Sequence, residues 1–82
     1  MDVYELSNEN VSINFSKNEA IVFYSWLAKF NDLDLEKDFE SEVEQQLLWN
    51  IEASFEKVLS EPFMQNFDEI LKDARHTLKI EK

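Results

Sequence analysis

The chain has 82 residues and a net charge of −10, from 18 acidic and 8 basic side chains, with no Gly, one Pro and no Cys. Such a charge is repelled by phosphate backbones and anionic leaflets, which argues against direct nucleic-acid or membrane-surface binding. Without Gly there are no Asn-Gly hairpins and no glycine-rich phosphate loops; without Cys there are no disulfides, thiolate chemistry or Cys-based zinc sites.

A single domain, residues 1–82, is expected to bury roughly 60–65% of its unfolded surface. Apolar residues make up 44% of the chain and seven are Phe, so core material is sufficient and disorder is not expected. The N-terminal stretch MDVYELSNEN lacks the basic start and apolar run of a secretory signal. No apolar stretch approaches ~18 residues, so the sequence predicts no membrane span and a cytoplasmic protein.

Val3-Tyr4-Glu5-Leu6 and Val11-Ser12-Ile13-Asn14-Phe15 alternate in polarity around the turn-forming cluster Ser7-Asn8-Glu9-Asn10. They predict a short antiparallel hairpin in which Val11, Ile13 and Phe15 face the helices and Ser12 and Asn14 face water. Ser16-Lys17-Asn18-Glu19 is a capping box, opening a helix over about Lys17 to Phe30. Its stripe of Ala20, Phe23, Leu27 and Phe30 is widened by Ile21, Tyr24 and Ala28, with Val22 and Trp26 further round. A helix apolar on nearly all sides is usually the central one.

From Asp32 to Glu44 an acid occupies every even position, and Leu33, Leu35, Phe39 and Val43 alternate with them. Asp and Glu at this density disfavour a strand. The expectation is a loop that tucks its Leu and Phe residues inward and enters a second helix near Phe39 to Glu42. That helix continues the longest clean helical pattern, from Ser41 to Glu61. Val43, Leu47, Leu48, Ile51, Phe55, Val58 and Leu59 form a one-sided stripe. Glu42, Gln45, Gln46, Glu52 and Glu56 lie opposite, with one large aromatic, Trp49, among them. Pro62 ends this pattern, and Phe63 beside it is expected to plug the core. A third helix is predicted from Phe67 to about Lys79, capped by Asn66, with Asp68 and Glu69 in its first turn and Phe67, Ile70, Leu71, Ala74 and Leu78 buried.

Little here points to catalysis or metal binding. Asp32, Asp34, Glu36 and Asp38 are spaced like the start of a calcium loop, but the turn glycine is missing and the position of the bidentate Glu is Val43. His76 is the only His and has no Cys to join it at zinc. Glu44 falls within the apolar arc of the second helix, yet so near its start that a carboxylate there reaches water or a cation. No enzyme, cofactor or metal is expected. Recognition is better supported, because Asp32 to Glu61 holds ten acids and two bases, −8 of the total −10. Such a field steers a basic partner, and Trp49 among the acids suits an anchor that stacks on Arg. The competing arrangement folds the hairpin or the acidic loop over Trp49.

Ser16-x-x-Glu19-Ala20, Trp26-Leu27, Glu44-Gln45-x-x-Leu48-Trp49-x-x-Glu52-Ala53, Glu61-Pro62-Phe63 and Phe67-x-Glu69-x-Leu71 together resemble a group of small acidic bacterial proteins of unassigned function. The acidic, Gly-free character is also similar in type to immunity proteins that neutralise bacterial toxins. The chain departs from the barstar-like and colicin-immunity-like nuclease inhibitors, so no functional residues carry over from them.

The sequence therefore predicts an α+β, mainly α domain: a short N-terminal β-hairpin packed on a three-helix layer. The expected function is non-enzymatic binding of a basic protein partner, as an immunity- or antitoxin-type inhibitor of a toxin or nuclease domain. The expected partner-binding residues are Asp34, Glu36, Asp38, Glu42, Gln45, Trp49, Glu52 and Glu56. The alternative is a self-associating module in which Trp26 and Trp49 are buried in a homodimer.

Overall fold

The computed structural model describes residues 1–33 and 42–81. The architecture is α+β and mainly α, a two-stranded antiparallel hairpin followed by three helices. Strand β1 (Asp2–Glu5) pairs with β2 (Val11–Asn14) in the register Asp2↔Asn14, Val3↔Ile13, Tyr4↔Ser12 and Glu5↔Val11. The turn is made without glycine and without any positive φ among the described residues. Asn10 closes it by accepting from the Leu6 amide at 2.9 Å, while the Ser7 hydroxyl accepts from the Glu9 amide at 3.2 Å.

Helix α1 (Lys17–Asp32) begins at the predicted capping box: the Ser16 hydroxyl accepts from the Glu19 amide at 3.1 Å and the Glu19 carboxylate from the Ser16 amide at 2.9 Å. The same carboxylate holds the N-terminal ammonium of Met1 at 2.9 Å, which ties the free end of β1 to the helix start. Helix α2 (Glu42–Val58) runs back along α1, since Asn31 meets Leu48 and Glu52 while Tyr24 meets Glu56. A single 3₁₀ turn, Glu61–Phe63, has the proline as its second residue and leads into α3 (Phe67–Glu81). The Asn66 cap is a backbone one: its carbonyl accepts from the Glu69 and Ile70 amides at 3.1 Å each.

Helix α1 is central, with α2 and α3 each packed on it rather than on one another. On one side Ala20 and Tyr24 bury against Leu59, with Phe15, Ala28 and Phe55 around them. On the other, Ile21 packs against Leu71 and Ala74 of α3, joined by Val22, Phe67 and Ile70. Leu27 is the one large side chain that is fully buried among the described residues.

Several sequence expectations are corrected. Phe63 is 68% exposed and plugs nothing, because the 3₁₀ turn at Pro62 aims it outward. Val11 and Ile13 do not bury against helices; both are more than half exposed, and Phe15, just beyond β2, carries the hairpin into the core. The stripe of α2 is the largest departure. None of its helical residues is buried, Val43, Leu47 and Val58 are exposed, and Leu48, Ile51 and Phe55 are half-buried.

Candidate protein-binding surfaces

Two surfaces of α2 are open to another molecule, and both follow from how the helix is turned. Tyr24 is buried on α1, and its hydroxyl needs an acceptor there, since an unpaired buried hydroxyl costs about 1–3 kcal/mol. Glu56 supplies it at 2.8 Å. One turn further along the seam, the Asn31 side-chain amide donates to the Glu52 carboxylate at 2.7 Å and to the Leu48 carbonyl at 3.3 Å. These contacts draw the Glu52–Glu56 edge of α2 onto α1. At roughly 100° per residue, that rotation swings Val43, Leu47 and Val58 away from the core. Burial, and then the neighbouring Glu56 carboxylate, push the Tyr24 phenol up to about 12, so the hydroxyl stays a neutral donor.

The first surface is the flank around Trp49. The indole is 46% exposed, so neither the hairpin nor any other described element closes over it. Glu42 is exposed about two turns before it, and Gln45, a turn before it, is half-buried. Glu52 and Glu56 lie a turn and two turns beyond it on the seam. The structure thus brings Glu42, Gln45, Trp49, Glu52 and Glu56 along one edge of α2. It also gives Glu52 and Glu56 a role in the fold that the sequence reading missed. Their spacing four apart on α2, opposite Tyr24 and Asn31 seven apart on α1, was the available signal. Asp34, Glu36 and Asp38 lie outside the described residues.

The second surface was not anticipated. Ile13 and Phe15 of the hairpin arm, Ala20 and Phe23 of α1, and Ile51, Ser54, Phe55, Val58 and Leu59 line an apolar groove of about 470 Å³. No lining side chain titrates, and the one polar side chain, Ser54, donates its hydroxyl to the Asn50 carbonyl at 2.8 Å. A row of rings leads out of the groove: Phe15 stacks on Phe23 at 5.6 Å, Phe23 on Trp26 at 6.2 Å and Trp26 on Phe30 at 5.2 Å. Trp26, which lies further round α1 than its main apolar stripe, is 55% exposed on this row.

Neither surface holds reactive groups. Among the described residues no three of His, Asp and Glu converge as a metal site. Glu44 is exposed, and so is His76 on α3. No helix among the described residues is long and apolar enough to cross a membrane. Comparison with family models, with curated proteins and with solved structures returned no match.

Proposed function

We propose that this chain is a non-enzymatic, acidic protein-binding module, an immunity- or antitoxin-type inhibitor that works in the bacterial cytoplasm on a basic toxin or nuclease domain. The observation that carries the reading is Trp49, a large ring left nearly half exposed beside Glu42 and the Glu52–Glu56 edge. An exposed indole with carboxylates on one flank suits an Arg-rich surface, through stacking and charge-assisted hydrogen bonds. The field of the Asp32–Glu61 segment, −8, steers the encounter. The ring supplies the desolvated anchor that field alone lacks.

The test is to mix the chain with a cationic toxin domain encoded at the same locus and follow association and dissociation as salt is varied. Trp49→Ala is expected to speed dissociation roughly 30-fold, the size of a ~2 kcal/mol hot spot, with little change in association. Glu42→Lys is expected to do the reverse, slowing association at low salt while leaving dissociation nearly unchanged. It is the cleaner charge probe, because Glu52 and Glu56 also hold α2 to α1. Parent-like kinetics in both variants, or no protection from the toxin, would remove the reading.

A further inference from the structure

The groove and the apolar side chains around it leave a large hydrophobic surface in water. Val3 pairs with Ile13 and Glu5 with Val11, so Val3, Val11 and Ile13 share the face of the hairpin that Ile13 turns to the groove, with Glu5 at its outer edge beyond the groove lining. On α2, Ile51 and Val58 line the groove and Leu47, outside it, lies one turn before Ile51 on the same side of the helix, and on α1 the row Phe23–Trp26 leads away from the same groove. Fully burying one aliphatic side chain removes roughly 60–120 Å² of apolar surface at ~25 cal/mol per Å². Val3, Val11, Ile13, Trp26, Leu47 and Val58 are each more than half exposed. With half-buried Phe23 and Ile51 they offer on the order of 500 Å², the size of the largest patch on a typical monomer, which is often functional.

We propose that this surface is a homodimer interface, in which two copies of the chain meet face to face about a twofold axis and each closes the other's groove. Two observations favour a second copy over another occupant. The exposed apolar area is about 60% of the ~800 Å² that each partner in a stable interface covers, which is the apolar share such interfaces have. The groove lining also carries no charge and no unsatisfied polar group. An occupant must therefore bring a matching uncharged apolar face, and this chain has that same face to offer, as an isologous contact requires. The hairpin gains most. Two strands alone are marginally stable, and here a single aromatic, Phe15, carries them into the core. The interface is separate from the Trp49 flank and does not rest on the inhibitor reading.

Sedimentation equilibrium of the full chain, from low micromolar to several hundred micromolar, tests the proposal. The expected result is a dimer whose affinity rises with salt. Two bodies of charge −10 repel, and between about 0.1 and 1 M NaCl the Debye length falls from ~10 to ~3 Å. Binding of a basic partner on the Trp49 flank has the opposite salt dependence, so the two readings fail separately. Val58→Lys is expected to weaken the dimer at least tenfold. Val58 is 77% exposed and ends α2, where a cation suits the helix dipole. The added lysine also lowers the net charge, so a weaker dimer cannot come from added repulsion. Ile13→Thr, which keeps a β-branched residue in the strand, should weaken the dimer severalfold and covers the case in which Val58→Lys does not fold. Trp49→Ala should leave dimerisation unchanged. A chain that stays monomeric throughout overturns the proposal, even if its groove takes up a hydrophobic dye. So does a dimer unmoved by both groove variants, or one that weakens with salt.

Discussion

Tyr24 shows how much one hydroxyl can decide. It is buried on the central helix, its acceptor comes from 32 residues away in sequence, and it sets which edge of α2 faces α1. Tyr24→Phe keeps the ring and removes the donor, and should cost about 1.5 kcal/mol of urea stability at neutral pH, in the range for a hydrogen bond to a charged group. The pH dependence has a definite sign. The folded-state phenol titrates at about 12, above the unfolded value near 10. Its contribution is therefore complete below about pH 10 and is lost as the pH rises toward 12. Urea midpoints measured from neutral pH to about 11 should fall more steeply for the parent than for Tyr24→Phe. Glu19 presents the opposite case. The Ser16 amide first, and the Met1 ammonium second, hold its carboxyl below the ordinary value, so its contribution is lost as the pH falls through the acid range. The Ser16–Glu19 half of that contact was legible in the sequence, because a capping box is written in four consecutive residues. The Met1 half was not, since it depends on where the hairpin returns the N-terminus.

At the level of elements, the three helices and the hairpin are where local pattern puts them, and the discrepancies concern which way each faces. Helix α3 has a narrow stripe, and Leu71 and Ala74 are buried as its periodicity requires. Helix α2 has a wide stripe, about half of its circumference, and a neighbour can cover only part of an arc so broad. The Tyr24–Glu56 and Asn31–Glu52 bonds settle the part that is covered, and the remainder, with Val43, Leu47 and Val58, stays outside. Since α2 buries no residue within its span, its amides should exchange with solvent faster than those of α1 and α3, as expected for an element with few buried contacts. Hydrogen exchange resolved by segment would check this. In a dimer of the proposed kind, protection of α2 and β2 should also rise with protein concentration while that of α3 stays constant.

The whole molecule rests on a small core split in two by α1, with Leu27 fully buried within that helix. Leu27→Ala should cost about 2–5 kcal/mol, a large part of the 5–15 kcal/mol that typical domains possess. Calorimetry or urea titration should show most of the cooperative transition lost near body temperature. The charge of −10 acts in the same direction through self-repulsion, so added salt should raise the parent's unfolding midpoint as well as strengthen association. The architecture keeps two kinds of surface apart: one edge of α2 carries carboxylates and an indole, and the groove beside the hairpin is lined by apolar, uncharged side chains.

The sequence by itself determined the order and type of the elements, the cap of α1, the central place of that helix and the gathering of acid between Asp32 and Glu61. These depend on interactions within a few residues, on periodicity or on composition, all of which are local properties of a chain. Only the tertiary structure decided that Glu52 and Glu56 close a seam, that Ile13 and Val58 stand in water, and that a groove opens between β2, α1 and α2. Rotation of a helix about its own axis changes no local pattern. It is set by buried polar groups finding partners across the fold, and those partners are tens of residues apart along the chain.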